Sequence, residues 1–149
     1  MKTVFALFLV LGFIQIAPAY QYEGAETELI ALVNSERQAS GIPPLQTNWE
    51  VTRLARYKSE EMKRHGLFDH ESFVYGNPAQ TLDYFHVPYS AIGANIAMGQ
   101  ETAHEVMEAW LCSPGHQANL VNQSFTSAGV GLSLDEDGIP YWTLILVAE

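Results

Sequence analysis

The chain is poor in cysteine: Cys112 is its only one among 149 residues. A lone cysteine cannot form an internal disulfide, so a disulfide-stapled scaffold is excluded. The composition, 48% hydrophobic and 16% charged, also argues against a disordered chain. We therefore expect one domain that is stabilised by core packing alone.

Basic residues are also scarce, with seven Lys and Arg against seventeen Asp and Glu, a formal net charge of −10. Binding to nucleic acid or to anionic membranes depends on basic side chains that neutralise phosphates. The composition therefore predicts no nucleic-acid partner and argues against acidic polymers in general.

Long hydrophobic runs are absent except near the start, where Val4 to Ile16 follow the basic Met1-Lys2. This run is shorter than the roughly 20 residues of a spanning helix, and the small-residue site Ala17-Pro18-Ala19 follows it. These features are typical of a secretory signal peptide. We expect a secreted, extracellular or periplasmic protein with no membrane span.

The predicted division of the chain is a signal peptide over residues 1–19, a linker over 20–26 and one domain over 27–149. Cleavage after residue 19 removes Lys2 and leaves six basic and seventeen acidic residues, a formal charge of −11. An exported domain of this size without disulfides favours a bacterial protein.

Hydrophobic periodicity predicts helices first and a hairpin last. Asn48 is a good N-cap and Gly66 a good C-terminal stop for the second helix, and Thr102 and Glu105 form a capping box for a later one. The charge run on the second helix indicates a solvated face. The predicted helices are Thr27–Ala39, 49–65, Thr81–Phe85 and a helix from Thr102 to the Pro114-Gly115 break, and the predicted strands are Ile92–Gly99, Ser127–Leu134 and Ile139–Val147. The order indicates an α+β fold.

Four sequence segments then point to a family. They are Leu32-Val33-Asn34-Ser35-Glu36-Arg37 with Gly41 and Leu45; Phe68-Asp69-His70; Gly93-Ala94-Asn95-Ile96-Ala97; and 109–119, Ala-Trp-Leu-Cys-Ser-Pro-Gly-His-Gln-Ala-Asn, with the later Gly129-Val130-Gly131 and Tyr141-Trp142-Thr143. Their order and spacing resemble the bacterial branch of the CAP superfamily, which groups cysteine-rich secretory proteins, antigen 5 and pathogenesis-related 1 proteins and is also called the SCP domain.

The resemblance implies an α-β-α sandwich, with a small antiparallel sheet between helical layers and a central cleft. In some members the cleft holds a divalent metal such as zinc. Members have been linked to sterol or lipid binding, to envelope and spore roles in bacteria, and to proteolysis.

When the motifs of the family are matched to this sequence, His70 and His116 correspond to the two histidines of the cleft. Ala94 stands where members usually carry a glutamate, Gln117 where an arginine is common, and Leu144 where a glutamine is common. A cleft on the family plan would therefore keep its imidazoles and lose its carboxylate and an amide.

The residues of this cleft support two interpretations. His70 and His116 supply two possible zinc ligands, whereas a firm zinc site needs three or four, so any bound metal would be held weakly. The alternative is that both histidines line a polar cleft together with Ser113 and Asn95.

A nucleophile is a weaker possibility. Cys112 and His116 are separated by the helix-breaking Pro114-Gly115, and the expectation for Cys112 is a semi-buried spare thiol. Ser113 lacks a Gly-x-Ser-x-Gly elbow, so helix termination is its simpler role. No catalytic residue is assigned.

Aromatic residues could line a groove for glycan or lipid, although Trp49, Trp110 and most of the others are more typical of a core. The residues considered for a groove are Tyr75, Tyr84, Phe85, Tyr89, Tyr141 and Trp142.

Two functions follow from the sequence. The first is an exported, non-enzymatic protein whose cleft binds a small ligand or a cell-envelope component. The second is a metal- or histidine-assisted hydrolase, such as a peptidase. Ala94 favours the first, because such hydrolysis usually needs a carboxylate.

Overall fold

The computed structural model describes residues 21–149, and the predicted signal peptide lies outside the described residues. The fold contains five helices and four strands within this range. They are α1 (Glu23–Ala39), β1 (Gln46–Thr47), α2 (Trp49–His65), α3 (Pro78–Tyr84), β2 (Ala91–Met98), α4 (Ala103–Leu111), α5 (Pro114–Leu120), β3 (Ser127–Leu134) and β4 (Pro140–Ala148). None of these helices has the length and apolar character required to cross a membrane.

The strands form one sheet in the order β1-β3-β4-β2. β3 and β4 form the predicted hairpin, and β2 pairs antiparallel with the other side of β4. β1 runs parallel to β3 over two residues. The sheet is therefore mixed, whereas the prediction was an antiparallel sheet. β1 was not predicted because a two-residue strand is too short to show a periodicity in the sequence.

Helices cover both faces of the sheet. Because side chains alternate along a strand, Trp142 and Leu144 of β4 face α1, α4 and α5, where they share a core with Trp110. Ile145 faces α2 and α3 and packs in a second core with Leu54. This arrangement confirms the predicted α-β-α sandwich.

The ends of α2 and α4 confirm the predicted caps. The Asn48 side chain accepts hydrogen bonds from the backbone N–H groups of Glu50 and Val51, and Gly66 ends α2 in the left-handed conformation. Thr102 and Glu105 form the capping box of α4.

α1 begins at Glu23, four residues before the predicted start at Thr27. The added turn buries Glu26. Its carboxylate accepts a hydrogen bond from the Leu132 backbone N–H at 3.0 Å and forms an ion pair with Arg56 at 2.6 Å. The prediction missed this turn because its stabilising contacts come from distant parts of the chain. The ion pair between Arg56 and Glu26 also shows that one prediction was wrong: Arg56 was expected to lie on a solvated helix face, and it is instead partly buried against Glu26.

One other local prediction was wrong. Trp49 is 62% exposed rather than in the core, and the Arg56 guanidinium lies 5.4 Å from its ring centroid.

The predicted end of a helix before Pro114-Gly115 is confirmed, because α4 ends at Leu111. The same two residues also begin a new helix, α5, which was not predicted. Proline is well suited to the first position of a helix.

Candidate functional site

The two predicted cleft histidines meet in space. His70 lies in the loop after α2, and His116 lies in the first turn of α5. Their ring centroids are 6.2 Å apart, with the ring planes inclined by 48°. The His116 ring also contacts the edge of the buried Trp110 ring, at a centroid distance of 6.3 Å. The pair therefore joins a surface loop to the core.

A small cavity lies next to His70. It offers about 20 Å³ to water-sized spheres, which is room for about one water molecule. Ala94 and Ile96 of β2 form part of its wall, and Lys58 is the one lysine or arginine among the described residues that line it. The other lining residues are Leu54, Tyr57, Ser72, Pro78, Thr81, Thr143 and Ile145. Among the described residues, no aspartate or glutamate lines this cavity.

Asn95 positions His116 rather than lining the cavity. It is fully buried, and its Nδ2 donates a hydrogen bond to the His116 carbonyl at 3.1 Å. Its Oδ1 accepts from Asn119 Nδ2 at 2.9 Å, and the same Nδ2 lies 3.3 Å from the Ala94 carbonyl. Side chains at neighbouring strand positions point to opposite faces, so Asn95 and Ala94 cannot share one wall. The two amides therefore fix α5 against the edge strand β2.

A buried charge network positions the loop that carries His70. Glu61 is 6% exposed and accepts a hydrogen bond from Ser72 Oγ at 2.7 Å. Lys58 Nζ lies 3.3 Å from the Glu61 carboxylate and donates to the Glu71 carbonyl at 2.5 Å. Sequence analysis gave Lys58 no role, although it falls on the apolar stripe of α2, and a lysine on such a stripe indicates a buried partner.

The two histidines share an electrostatic property. Burial lowers the pKa of His70, an effect that Asp69 opposes and Lys58 reinforces. Burial and the neighbouring His70 lower the pKa of His116. Both imidazoles are therefore largely neutral at pH 7, the state that can bind a metal or accept a proton.

The other two candidate residues lie at the junction of α4 and α5. Ser113 is the N-cap of α5, but its side chain makes no capping hydrogen bond, and it is not among the residues that line the cavity. Cys112 is exposed rather than semi-buried, because it follows the last buried residue of α4. Within the described range, neither residue has a hydrogen-bonded base of the kind that an activated nucleophile requires.

The donors present do not make a complete zinc site. Two imidazoles on one tetrahedral zinc ion, each nitrogen about 2 Å from it, place their ring centroids roughly 5 Å apart. The observed 6.2 Å separation of His70 and His116 therefore needs a small closure. Within residues 21–149, no group of three His, Cys, Asp or Glu side chains is close enough to hold a metal.

The aromatic residues divide between core and surface. Tyr141 and Trp142 are buried, at 6% and 1% exposure. Tyr75, Tyr84 and Phe85 instead form a surface cluster with Tyr57, which sequence analysis did not single out. Neighbouring rings in this cluster have centroids 4.5 to 6.4 Å apart.

Comparison with known proteins agrees with this architecture. The chain is similar to YkwD of Bacillus subtilis, with 43% identity over 106 residues, 71% of this chain and 41% of that protein. An extracellular SCP-domain protein of Bacillus anthracis superposes with a TM-score of 0.77 at 28% identity, over 85% of this chain and 41% of that one. An outer surface protein of Borrelia burgdorferi shares the fold, with a TM-score of 0.80 at 17% identity over 86% and 95% of the two chains.

The present chain spans less than half of the length of YkwD and of the Bacillus anthracis protein. The family model described as the cysteine-rich secretory protein family, CAP, matches residues 30–146. That range includes both cleft histidines, Ala94 and all four strands except the last residues of β4. The chain therefore belongs to the cysteine-rich secretory protein, or CAP, family.

Proposed function

We propose that this protein is exported and that its histidine cleft binds a small ligand, or a component of the cell envelope, without converting it. The observation that carries the proposal is the composition of the cavity wall beside His70. Apolar side chains dominate the wall, and Ala94 supplies a methyl group where the family motif usually has a carboxylate. Such a wall suits binding of an apolar group, with the imidazoles as orienting polar contacts.

The surroundings of His70 support the same proposal. Four large apolar side chains of the loop are at least half exposed: Leu67, Phe68, Phe73 and Val74. Exposed apolar side chains grouped in one segment are typical of a binding surface, and this segment carries His70. The cavity has room for about one water-sized group, so a ligand would place a single small apolar group there and lie mainly over this loop.

The alternative function is histidine-assisted hydrolysis, and one observation favours it. The lowered pKa of His70 and of His116 leaves each imidazole neutral at pH 7 and able to act as a base. Against this alternative, the described residues supply no carboxylate in the cavity wall to orient a histidine or to act as the acid.

Export is tested by N-terminal sequencing of protein recovered from the culture medium. The Ala-x-Ala site predicts that Tyr20 is the first residue of the mature protein. Recovery of Met1 as the first residue of the released protein would contradict export by this signal.

Ligand binding is tested by native mass spectrometry of the exported protein together with a peptidase assay on a quenched peptide library. We expect a small molecule of defined mass on the wild-type protein, its loss from Ala94→Leu, which fills the cavity, and no peptide cleavage that depends on His116. Peptide hydrolysis that His116→Ala abolishes would overturn the proposal in favour of the hydrolase.

A further inference from the structure

The positive charge of this acidic protein is concentrated on one helix. Residues 21–149 contain six Lys and Arg side chains, and Arg37 is 1% exposed. The other five all lie on α2: Arg53, Arg56, Lys58, Lys63 and Arg64. An anionic ligand therefore meets accessible lysine or arginine in the described part of the chain only on α2.

A groove runs along this helix and shares one residue, Tyr57, with the cavity beside His70. It offers about 490 Å³, which is within the range of ligand sites. Three arginines and two glutamates line it: Arg53, Arg56, Arg64, Glu60 and Glu61, together with Tyr57, His65, Val74 and Ser133. A smaller recess of about 170 Å³ shares Arg53 and Tyr57 with the groove and extends it past Glu50 and Leu54 to Phe85 and Val87.

The charges of the groove are unevenly matched. Arg56 pairs with Glu26 at 2.6 Å, and Glu60 already holds Lys63 at 2.9 Å and Arg64 at 3.0 Å. The carboxylate of Glu61 is likewise paired with Lys58. Arg53 makes no ion pair with any residue between 21 and 149. It is exposed and lies where the groove and the recess join, so its guanidinium is available for an incoming anion.

Aromatic rings stand beside this guanidinium. Tyr57 lines both the groove and the recess, and its ring lies 5.5 Å from that of Tyr75. Tyr84, 63% exposed, continues the surface at 4.5 Å from Tyr75. Flat, rigid rings of this kind pack against the apolar C–H face of a sugar at low cost in conformational entropy.

We propose that this groove binds an acidic glycan, a saccharide with at most one carboxylate on each sugar ring. In this site Arg53 donates two parallel hydrogen bonds to a sugar carboxylate, and Tyr57 packs against the adjoining ring. The formal charge of −11 that remains after residue 19 repels polymers of high charge density, such as nucleic acid. A short sugar chain with at most one carboxylate on each ring carries less charge per unit length than double-stranded nucleic acid, so it meets less repulsion while one of its carboxylates pairs with Arg53.

The test is calorimetric titration of the exported protein with tetragalacturonate at low salt, and with the fully methyl-esterified form as a neutral match. We expect binding of the acid and at least about tenfold weaker binding of the ester, the loss that corresponds to one charge-assisted hydrogen bond. Arg53→Gln should weaken binding of the acid by a similar factor. Lys63→Gln removes the same charge from the same helix outside the groove. It also leaves the groove carboxylate of Glu60 paired with Arg64 alone, so we expect a loss of up to about threefold, clearly smaller than that of Arg53→Gln.

Four results would overturn the proposal. Equal binding of the ester would show that no carboxylate is recognised, and equal losses in Arg53→Gln and Lys63→Gln would show diffuse attraction without a site. Equal binding of tetra-aspartate would show that the sugar is not recognised. His70→Ala should leave the affinity unchanged, because His70 does not line the groove. A loss of affinity in this variant would show that the glycan binds in the histidine cleft instead. Circular dichroism is the control that checks whether each variant is folded.

Discussion

Arg37 is a buried cation that joins three separate parts of the chain. Its Nε donates to the Pro43 carbonyl at 2.9 Å, and its Nη atoms donate to the carbonyls of Leu120, Asn122 and Phe125 at 2.9 to 3.0 Å. Burial lowers the pKa of this guanidinium, which nevertheless stays charged at any ordinary pH. The side chain satisfies carbonyls of the two loops that flank the helical layer.

Arg37→Ala should lower the free energy of unfolding by about 3 kcal/mol or more, because it leaves several carbonyls without a hydrogen-bond donor. Urea unfolding followed by circular dichroism measures the change. The exposed Arg53→Ala is the matched control and should change stability by less than about 0.5 kcal/mol. Similar values for the two variants would contradict the structural role of Arg37.

The residue at position 94 should determine the affinity of the cleft for a metal ion. It lies in the cavity wall together with His70, so a glutamate at this position would bring a carboxylate to the two imidazoles. Loss of a supporting group typically costs about 10–100-fold in metal affinity, and loss of a direct ligand costs more. We therefore expect weak zinc binding by the wild-type protein and stronger binding, by about tenfold or more, in Ala94→Glu.

Calorimetric titration with zinc at neutral pH measures both affinities. Adding His116→Ala to Ala94→Glu should abolish the gain, because it removes one of only two imidazoles. Ala94→Gln is nearly the same size and carries no charge, so it should gain little. Tight zinc binding by the wild-type protein, or no gain in Ala94→Glu, would show that the histidine pair is structural.

The contact between α2 and β3 depends on two glycines. A Cβ atom at Gly131 would lie 2.2 Å from the Arg56 backbone nitrogen, and one at Gly129 would lie 2.2 Å from that of Thr52. Real Cβ atoms do not approach the backbone so closely, so the helix would have to move. The glycines therefore set the distance between the helix and the sheet, and with it the positions of Tyr57 and Lys58 at the cavity.

Gly131→Ala should destabilise the protein by about 3 kcal/mol or prevent folding, because a rigid helix cannot yield locally as a side chain can. Gly24→Ala is the control: the added methyl group meets nothing within 4 Å inside α1, so stability should rise by up to about 1 kcal/mol. Thermal melts of the two variants make the comparison. A Gly131→Ala protein as stable as the wild type would show that α2 does not lie so close to the strand.

The elements that could be predicted from the sequence are those whose signals are local. Asn48, Gly66 and the Thr102–Glu105 pair are adjacent to the helices they cap, and the β3–β4 hairpin carries its own turn residues. α5 was missed because proline and glycine after a serine are equally typical of a turn. β1 was missed because two residues show no periodicity.

The site was predictable only in part. The family motifs pointed to His70, His116 and the unusual Ala94. They did not predict the hydrogen bond from Asn95 to the His116 carbonyl, because a motif does not show which face of β2 a side chain occupies. The Lys58–Glu61 network and the Asn95–Asn119 amide pair join elements that are distant in sequence. Such contacts are determined by packing, so no local pattern predicts them.

Across the whole molecule, the two proposed sites lie on different parts of the same helix layer and use different chemistry. The cavity beside His70 is small and mostly apolar, whereas the groove along α2 is large and lined by three arginines and two glutamates. Tyr57 belongs to both, so its substitution would not separate them. His70 and Arg53 each belong to one site only, and their variants therefore report on the cleft and on the groove independently.

The histidine pair should also make the stability of the whole protein depend on pH. Burial lowers the pKa of both His70 and His116, so the unfolded chain, with a histidine pKa near 6.5, binds protons more readily than the folded chain does. The free energy of unfolding should therefore be greatest above about pH 6.5 and should fall as the pH drops towards the lowered pKa values.

Urea unfolding at pH 7.5 and at pH 5.5 measures this difference, in a range where most carboxylates stay ionised. The double variant His70→Gln, His116→Gln should lose less stability than the wild type between these two values. His104→Gln, at an exposed position 3.4 Å from Glu28, is the control and should keep the wild-type difference. If the double variant loses as much stability as the wild type on acidification, the two imidazoles are no harder to protonate in the folded protein than in the unfolded chain, and the acid sensitivity arises elsewhere in the molecule.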